Sequence, residues 1–236
     1  MKILSIGDIH GTTHWKTADI SKHDKVVFSG DYVDDWSVPD ELMLYNLREI
    51  INLKKEYKDK VVLLLGNHDL MYMFLGKKAH SCSGYRPTYA EAVHYMFEDN
   101  KDLFQFAYGI ISNAGKDVHL WTHAGIVQSW YVTRFVPYIE KAGLKDIPIY
   151  DQLQCAFRDY EPCLFDVGYY RGGYMPTGGP VWADAQELFF DPLPNIHQIV
   201  GHTRVGELRT HDIDGGSITF IDTQQTNKEF YELELR

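Results

Sequence analysis

The chain has few cysteines, no long apolar run and no excess of positive charge, and each shortage excludes a class of protein. Its three cysteines, Cys82, Cys155 and Cys163, are an odd number and lack the close spacing of a thiolate metal site. We therefore expect reduced thiols in a reducing compartment instead of a disulfide framework. No apolar stretch approaches the ~20 residues that a membrane helix needs, and no secretory signal is visible at the N-terminus. These absences predict a cytoplasmic protein without a membrane partner.

The charge balance narrows the choice of partner further. The formal net charge is −10, which is the wrong sign for a protein that binds duplex nucleic acid, so we expect no such partner. With 236 residues and 44% hydrophobic residues, the chain can bury a core of ordinary size. Because no internal repeat, low-complexity tract or linker interrupts it, we predict a single domain over residues 1–236.

Three short apolar runs near the N-terminus each lead to a glycine and then to side chains that bind metals. Residues 2–7, 25–29 and 60–65 have the composition of buried strands. The polar side chains that follow these strands are Asp8, His10, Asp31, Asn67 and His68. Residues two apart on an extended chain point the same way, so Asp8 and His10 can reach one point beyond the strand.

The order of elements predicts an α/β fold. A helical pattern over 39–57 separates the second and third strands, and this alternation is typical of a parallel sheet. In such sheets, ligand sites lie outside the carboxyl ends of the strands. Further helical patterns cover 70–75, 87–100 and 127–160. In the tail, 196–235, strands joined by tight turns predict an antiparallel sheet.

Two later strand patterns add imidazoles to the same set. The segment 117–122 leads to His123, and the segment 196–200 leads to His202. Two carboxylates, one amide and three imidazoles are more ligands than one ion needs, and they suit two ions ~3.5–4 Å apart that share a carboxylate. Oxygen and imidazole donors without thiolate favour Mn, Fe or Zn.

Five short motifs carry a resemblance to a known family. They are Gly7-Asp8-Ile9-His10-Gly11, Gly30-Asp31-Tyr32-Val33-Asp34, Gly66-Asn67-His68-Asp69, Thr122-His123-Ala124-Gly125 and Gly201-His202-Thr203. In type and order these resemble the motifs of the calcineurin-like metallophosphoesterases. The form is closest to the phosphoprotein-phosphatase branch, which also includes symmetrical diadenosine tetraphosphate hydrolases. The resemblance implies a sandwich of two mixed β-sheets flanked by helices.

The resemblance also implies a role for each motif residue in a metal-dependent phosphatase. Asp8 and His10 would bind the first ion, and Asp31 would bridge the two ions. The ligands of the second ion would be Asn67, His123 and His202, together with the bridging Asp31. His68 would protonate the leaving group, and Asp34 would fix its ring. The nucleophile would be a hydroxide that bridges the two ions and attacks phosphorus directly.

Because of one departure from the family pattern, the residue that binds the substrate phosphate is not determined. Many phosphoprotein phosphatases have an arginine directly after the aspartate that corresponds to Asp34, but Asp35 and Trp36 stand there in this chain. A guanidinium is the natural partner of a phosphate. Our first candidate is Arg171, in the glycine-rich irregular segment 161–180, because loops of this length are usually functional. Arg86 and Arg204 are the other two candidates.

Three functions stay open from the sequence. The first is hydrolysis of phosphomonoesters, with phosphoserine or phosphothreonine in proteins as candidate substrates. The second is cleavage of a dinucleoside polyphosphate, since aromatic residues near the glycine-rich segment could stack on adenine. The third is a non-catalytic scaffold of the same fold, which the retained ligands and the retained His68 disfavour.

Overall fold

The computed structural model describes residues 1–75, 83–112 and 115–235, in which two five-stranded sheets are flanked by helices. This arrangement of two mixed sheets confirms the predicted α/β fold class. Cys82, Asn113 and Ala114 lie outside the described residues. Among the helices of the described residues, none is both long enough and apolar enough to cross a bilayer.

Most strands and helices of the described chain fall close to the predicted segments, but the strand Phe104–Gln105 and the helix Ala185–Phe190 were not predicted. In chain order the strands are β1 (Lys2–Ile6), β2 (Lys25–Phe28), β3 (Val61–Leu64), β4 (Phe104–Gln105), β5 (Tyr108–Ser112), β6 (Asp117–Thr122), β7 (His197–Val200), β8 (Arg209–Ile213), β9 (Gly216–Phe220) and β10 (Tyr231–Glu234). The helices are α1 (Asp40–Tyr57), α2 (Asn67–Met73), α3 (Pro87–Glu98), α4 (Gln128–Trp130), α5 (Val136–Ala142), α6 (Ile149–Arg158) and α7 (Ala185–Phe190). A π-helical turn over Tyr131–Phe135 joins α4 to α5.

Parallel strands form the centre of both sheets. The first sheet has the order β10-β1-β2-β3-β4, in which β1 to β4 are parallel and β10 is antiparallel to β1. The second sheet has the order β5-β6-β7-β9-β8, in which β6, β7 and β9 are parallel. The carboxyl ends of parallel strands share one edge of a sheet, so the loops that follow β1, β2, β3, β6 and β7 can meet.

The prediction of one antiparallel sheet in the tail was wrong. β7 pairs in parallel with both β6 and β9, and β10 leaves the group to pair with β1. The β8–β9 hairpin is antiparallel, as its tight turn requires. A turn sequence specifies the pairing of the two strands that it joins, whereas pairing between distant strands depends on burial. The pairing of β10 with β1 supports a single domain over residues 1–236, which stays a prediction.

The two sheets pack face to face through apolar side chains that alternate along the strands. Ile3, Val27 and Leu64 from the first sheet meet Trp121 and Ile199 from the second in one buried cluster. The opposite side chains of β1 and β2 point to the other face, where they pack with α1 in the larger core cluster. The alternation places β1, β2 and β3 between two apolar layers, which explains their nearly continuous apolar sequences.

Helix α1 shows how the sequence specifies these outer layers. Pro39 stands at its N-cap, acidic residues occupy its first turn and lysines its last, which complements the helix dipole. Its buried residues recur at helical spacing and face the sheet: Met43, Asn46, Leu47, Ile50 and Ile51.

Candidate metal centre

Two groups of possible metal ligands meet at the carboxyl edges of the two sheets. Asp8, His10 and Asp31 form one group, and Asp31, His123 and His202 form the other. Within each group the ligand atoms lie within 4.8 Å of one another. Asp31 belongs to both groups, so the structure places one carboxylate between two candidate ion positions. Side chains that follow four separate strands thus meet at one point.

A single oxygen of Asp31 faces both groups. Its Oδ2 lies 3.6 Å from Nε2 of His10 and 3.4 Å from Nε2 of His123. The amide oxygen of Asn67 lies 3.0 Å from the same His123 nitrogen, and Nδ1 of His202 lies 3.1 Å from it. Asn67 therefore joins the second group.

Backbone carbonyls fix the orientation of two of the imidazoles. Nδ1 of His10 lies 2.9 Å from the carbonyl oxygen of Val33, and Nδ1 of His123 lies 2.8 Å from that of Ser29. Each Nδ1 must carry the proton to donate these bonds, which leaves the Nε2 lone pair for a cation. The lone pair on Nε2 of His123 then faces oxygen lone pairs of Asn67 and Asp31, at 3.0 Å and 3.4 Å. These lone pairs require a positive charge between them, and this donor set fits divalent metal ions.

The charges of the cluster also favour a cation. Burial acts to lower the pKa of His123, but the carboxylates of Asp31 and Asp8 outweigh it and raise this pKa to about 9. Burial and the neighbouring His123 and Arg171 hold the pKa of His202 well below its ordinary value, so its imidazole is neutral. A neutral imidazole is the form that binds metals. The same carboxylates that hold a proton on His123 are able to hold metal ions in its place.

Two motif glycines let the carboxylates approach the backbone. A Cβ on Gly66 would lie 2.1 Å from Oδ1 of Asp31, and one on Gly201 would lie 2.1 Å from Oδ1 of Asp8. Neither position can accept a side chain while the carboxylate stays in place. The glycines of the motifs therefore serve close packing of ligands against neighbouring strand ends.

Four site residues have backbones that L-residues rarely adopt. The φ angles are +41° at His10, +50° at Asp31, +68° at Asp34 and +60° at His202. Each such conformation costs of the order of 1–3 kcal/mol, and such costs concentrate at functional sites. Because the surrounding contacts impose these backbones, the side chains are held in place before any ligand binds.

Asp69 holds the first sheet's ligand loops together, and sequence reasoning missed this role. Its Oδ2 accepts hydrogen bonds from the N–H groups of Asp31 at 2.7 Å and Gly66 at 2.8 Å, and its Oδ1 accepts from Tyr32 at 2.9 Å. The bond to Gly66 also starts α2 at Asn67, earlier than the predicted 70–75. The sequence signal was present, because an acid at the third position of a helix often bonds back to the N-cap.

His68 lies beside the metal-ligand groups and pairs with Asp34. Its Nδ1 is 2.9 Å from Oδ2 of Asp34, whose side chain is almost fully buried. The backbone N–H of His68 donates to Oδ1 of Asp31 at 2.9 Å, which sets the ring next to the shared carboxylate. The other oxygen of Asp34 accepts bonds from two tyrosines, Tyr72 and Tyr89, at 2.5 Å and 2.6 Å. These tyrosines were not among the predicted site residues.

An open cleft of about 940 Å³ leads to the ligand groups. Its floor includes His10, Asp31, Asn67, His68 and His202. Its opposite wall comes from the glycine-rich segment and its neighbours, including Tyr160, Phe165, Arg171, Tyr174 and Trp182. The irregular segment 161–180 therefore faces the site, as its length and composition suggested.

The three arginine candidates lie in different surroundings. Arg171 lines the cleft, with Nε 2.8 Å from a carboxylate oxygen of Asp184 and Nη2 donating to Thr203 at 2.6 Å. The guanidinium of Arg86 pairs with Asp40 at 2.6 Å and donates to backbone carbonyls before and after Trp36. It thereby braces the loop in which Asp35 and Trp36 replace the family's arginine.

Arg204 lies at the surface. Its guanidinium donates to the side chain of Gln225, and its residue is exposed. Of the three candidates, Arg171 is the one whose side chain is found in the lining of the described cleft. The phosphate-binding roles of Arg171, Arg86 and Arg204 stay predictions.

A further buried carboxylate, Asp222, was also missed. It is 3% exposed and follows β9, the third parallel strand of the second sheet. Burial, with the nearby Asp8 and Asp31, raises the pKa of Asp222 to about 8. The strand-end rule that found the other ligands applies here as well, because β9 ends two residues before Asp222.

Comparison with known proteins gives a family model and similar solved structures. The family model described as calcineurin-like phosphoesterase matches residues 1–206. A cold-active protein-tyrosine phosphatase from a psychrophilic Shewanella species aligns with 99% of this chain and 75% of its own, at 16% identity and a TM-score of 0.53. This likeness shows a shared fold.

A protein serine/threonine phosphatase from Saccharomyces cerevisiae aligns with 93% of this chain and 67% of its own, at 17% identity and a TM-score of 0.44. No curated protein sequence is significantly similar to this chain.

Proposed function

The chain belongs to the calcineurin-like phosphoesterase family, and from this premise we propose that it hydrolyses phosphomonoesters with two divalent metal ions. Phosphoester hydrolysis and dependence on metal follow from the family. The choice of monoesters, the roles of individual residues and the preference for manganese are our proposal. Phosphoserine and phosphothreonine in proteins are the candidate physiological substrates.

The position of Asp31 is the observation that carries this proposal. One carboxylate oxygen faces imidazoles from both ligand groups at 3.4 Å and 3.6 Å. A carboxylate shared in this way is what a pair of ions needs to sit close together. Asp8 and His10 would complete the first site, and Asn67, His123 and His202 would complete the second. When bound, the ions supply an activated water as nucleophile and offset charge on the phosphoryl oxygens.

We assign to His68 the donation of a proton to the leaving group. Its Nδ1 is engaged by Asp34, so Nε2 is the atom that donates to the departing oxygen. The bond to Asp34 prevents the ring from turning. His68 lines the cleft next to the ligand groups, so it can donate its proton to a substrate that is bound in the cleft.

We assign binding of the substrate phosphate to Arg171. The contacts with Asp184 and Thr203 engage two of its nitrogens, and a guanidinium has five N–H donors, so donors remain for phosphate oxygens. Among the described residues of the cleft lining, Arg171 is the sole arginine or lysine. One guanidinium suits a single phosphate group better than a chain of several, which favours monoesters over dinucleoside polyphosphates.

A metal-dependent assay tests the proposal. We expect the purified protein to release p-nitrophenol from its phosphate ester when Mn²⁺ is added and to stop when the ion is chelated. Asp8→Asn should abolish this activity, whereas Asp59→Asn, in an exposed turn outside the ligand set, should leave it unchanged. Elemental analysis should find two metal ions per chain. Full activity of Asp8→Asn, or of the chelated protein, would contradict the proposal.

A side-by-side assay separates the two substrate classes. A phosphoserine peptide and diadenosine tetraphosphate are offered at equal concentration, and the specific rates are compared. The single arginine in the described cleft lining leads us to expect faster turnover of the peptide. Faster turnover of the dinucleotide would shift the proposal to phosphoanhydride cleavage.

A further inference from the structure

We propose that Tyr72 and Tyr89 are positioning residues that hold Asp34 for His68, so that proton donation to poor leaving groups depends on their hydroxyls. This inference rests on the proposed function, because it concerns the acid step of the same site. It goes beyond that function by assigning a role to two side chains that lie outside the metal ligands and the His68–Asp34 pair.

The two hydroxyls meet at one oxygen of a buried carboxylate. Tyr72 donates to Oδ1 of Asp34 at 2.5 Å and Tyr89 donates to the same oxygen at 2.6 Å. The other oxygen, Oδ2, faces Nδ1 of His68 at 2.9 Å. Two phenols therefore occupy one end of the carboxylate, and the imidazole has the other end.

This division of the two oxygens keeps Asp34 in one orientation. An oxygen with two donors has no further strong site for a proton or a water, so rotation of the carboxylate would break two short bonds at once. The backbone of Asp34 has a φ of +68°, so the chain itself does not favour this conformation. The tyrosines supply a restraint that the local backbone lacks.

Both phenols are built to remain donors. Burial, followed by their bonds to Asp34, raises the pKa of Tyr72 and of Tyr89 far above the ordinary value. The hydroxyls thus stay protonated, and Asp34 stays the acceptor.

The two tyrosines come from different helices, which fixes their hydroxyls relative to each other. Tyr72 lies four residues after His68 on α2, so both side chains share one face of that helix. Tyr89 lies on the first turn of α3, and its ring packs against that of Tyr72 with centroids 5.5 Å apart. The hydroxyl of Tyr72 also accepts the backbone N–H of Arg86, the residue that caps α3. The pair therefore ties α2, α3 and the Asp34 loop into one unit.

The chemical consequence depends on the leaving group. An alkoxide such as that of serine leaves only with a proton, whereas p-nitrophenolate leaves readily without one. A misplaced acid should slow the first reaction and spare the second. Loss of folded protein or of metal would slow both by the same factor, so the dependence on leaving group identifies a positioning role.

The experiment compares single phenol deletions with a matched surface control. Tyr72→Phe and Tyr89→Phe each remove one hydroxyl and keep the ring, and Tyr95→Phe does the same at an exposed position on α3. The kcat and KM of the Mn²⁺-loaded proteins are measured on O-phosphoserine, phenyl phosphate and p-nitrophenyl phosphate. Calorimetry measures Mn²⁺ affinity, and thermal melting measures the folded state.

The expected result is a steeper dependence of rate on the leaving group. General acid catalysis contributes typically 10²–10⁴-fold, so loss of one of two restraints should lower kcat for O-phosphoserine about tenfold and for p-nitrophenyl phosphate less than twofold. KM, Mn²⁺ affinity and the Tyr95→Phe variant should stay at wild-type values. An equal loss on all three substrates, or no loss on any, would overturn the inference.

Two features keep the test decisive. Tyr72 also holds the start of α3, so if Tyr72→Phe does not fold, Tyr89→Phe gives the answer, because its hydroxyl bonds chiefly to Asp34. Failure of the proposed function has a different outcome: the wild-type protein would then hydrolyse none of the substrates in the presence of Mn²⁺. An active wild-type enzyme with unselective variants would overturn the positioning role alone.

Discussion

The two sides of the cleft are built by different means. On the metal side, six candidate ligands follow strands of two sheets, and four of the six come from the first sheet. On the opposite side, Arg171 stands in an irregular glycine-rich segment and is held by Asp184 and Thr203. The comparison teaches that a strand end fixes a ligand through the sheet itself, whereas a loop residue depends on a few polar contacts.

The largest expected effect is on the metal side, at the shared carboxylate. Asp31→Asn removes the charge that faces both ion positions, so both ions should bind weakly. Since the ions supply most of the acceleration, the rate should fall on the order of 10⁴-fold or more. Elemental analysis and the p-nitrophenyl phosphate assay measure the two losses together. If the Asp31→Asn variant were active and bound two ions tightly, the comparison would fail, because the carboxylate at this strand end would not be essential for metal binding.

The second effect separates the acid from the ligands. His68→Asn removes the proton donor but leaves every proposed ligand in place, so the protein should still bind two ions. The rate on phosphoserine peptide should fall about 10²–10³-fold, in the range of general acid catalysis. Full activity of this variant towards the peptide would contradict the acid role, and metal analysis of the same sample provides the control.

On the loop side of the cleft, where Arg171 stands, the expected effect is smaller and concerns substrate binding. Arg171→Ala removes a charge-assisted contact with the substrate, and such contacts are worth about 1.5–3 kcal/mol, so kcat/KM should fall roughly 10- to 100-fold. Arg171→Lys keeps the charge without the planar fork and should recover a part of the loss. Arg86→Ala serves as the matched comparison. If Arg86→Ala raises KM more than Arg171→Ala does, the phosphate clamp has been placed on the wrong residue.

Stability of the metal-free protein should depend on pH through the metal side. The folded-state pKa of His123, about 9, lies above its ordinary value of 6.5, so its contribution is fully present below pH 6.5 and is lost as pH rises through 9. Asp222, with a pKa raised to about 8, acts in the same direction.

The melting temperature in chelator should therefore fall on the order of 5 °C between pH 6.5 and pH 9. The metal-loaded protein is the control, because bound ions replace the proton and remove most of the dependence. A melting temperature that rises with pH in chelator would be inconsistent with these pKa values.

The smallest effect is expected at a glycine of the loop side. Gly172 has a φ of +78° with open space around its Cα, so Gly172→Ala should cost only the backbone strain, about 1–2 kcal/mol. Denaturant unfolding measures this cost. Gly201→Ala is the contrast, since its Cβ would collide with Asp8 and should also lower metal content. If the two variants lost the same unfolding free energy and kept the same metal content, the two sides of the cleft would tolerate an added Cβ equally.

The sequence predicted the metal side because its signals are local. An apolar strand, a glycine and a ligand stand next to one another in the chain, and the strand-end rule then brings distant motifs together. Asp222 satisfied the same rule and was missed because it belongs to none of the five motifs. The predicted pairing of the tail strands was wrong for a related reason, because strands that are adjacent in sequence were taken to be adjacent in the sheet.

Apart from Asp69, the supports of the site could not be predicted in the same way. Tyr72 and Tyr89 look like ordinary residues of helical patterns, and their bonds to Asp34 depend on how α2 and α3 pack. Arg171 could be named as a candidate, but the sequence does not show that Asp184 and Thr203 hold it. Contacts that depend on tertiary packing leave no pattern in the spacing of residues.

The unusual backbone angles have a consequence for engineering this protein. Eight described non-glycine residues have positive φ, and four of them are His10, Asp31, Asp34 and His202. Glycine would relax those four positions but would delete the side chains on which activity is proposed to depend. Lys58 and Lys228 have similar angles outside the ligand set and outside the cleft lining. Heat resistance should therefore be sought by glycine substitution at these two remote positions.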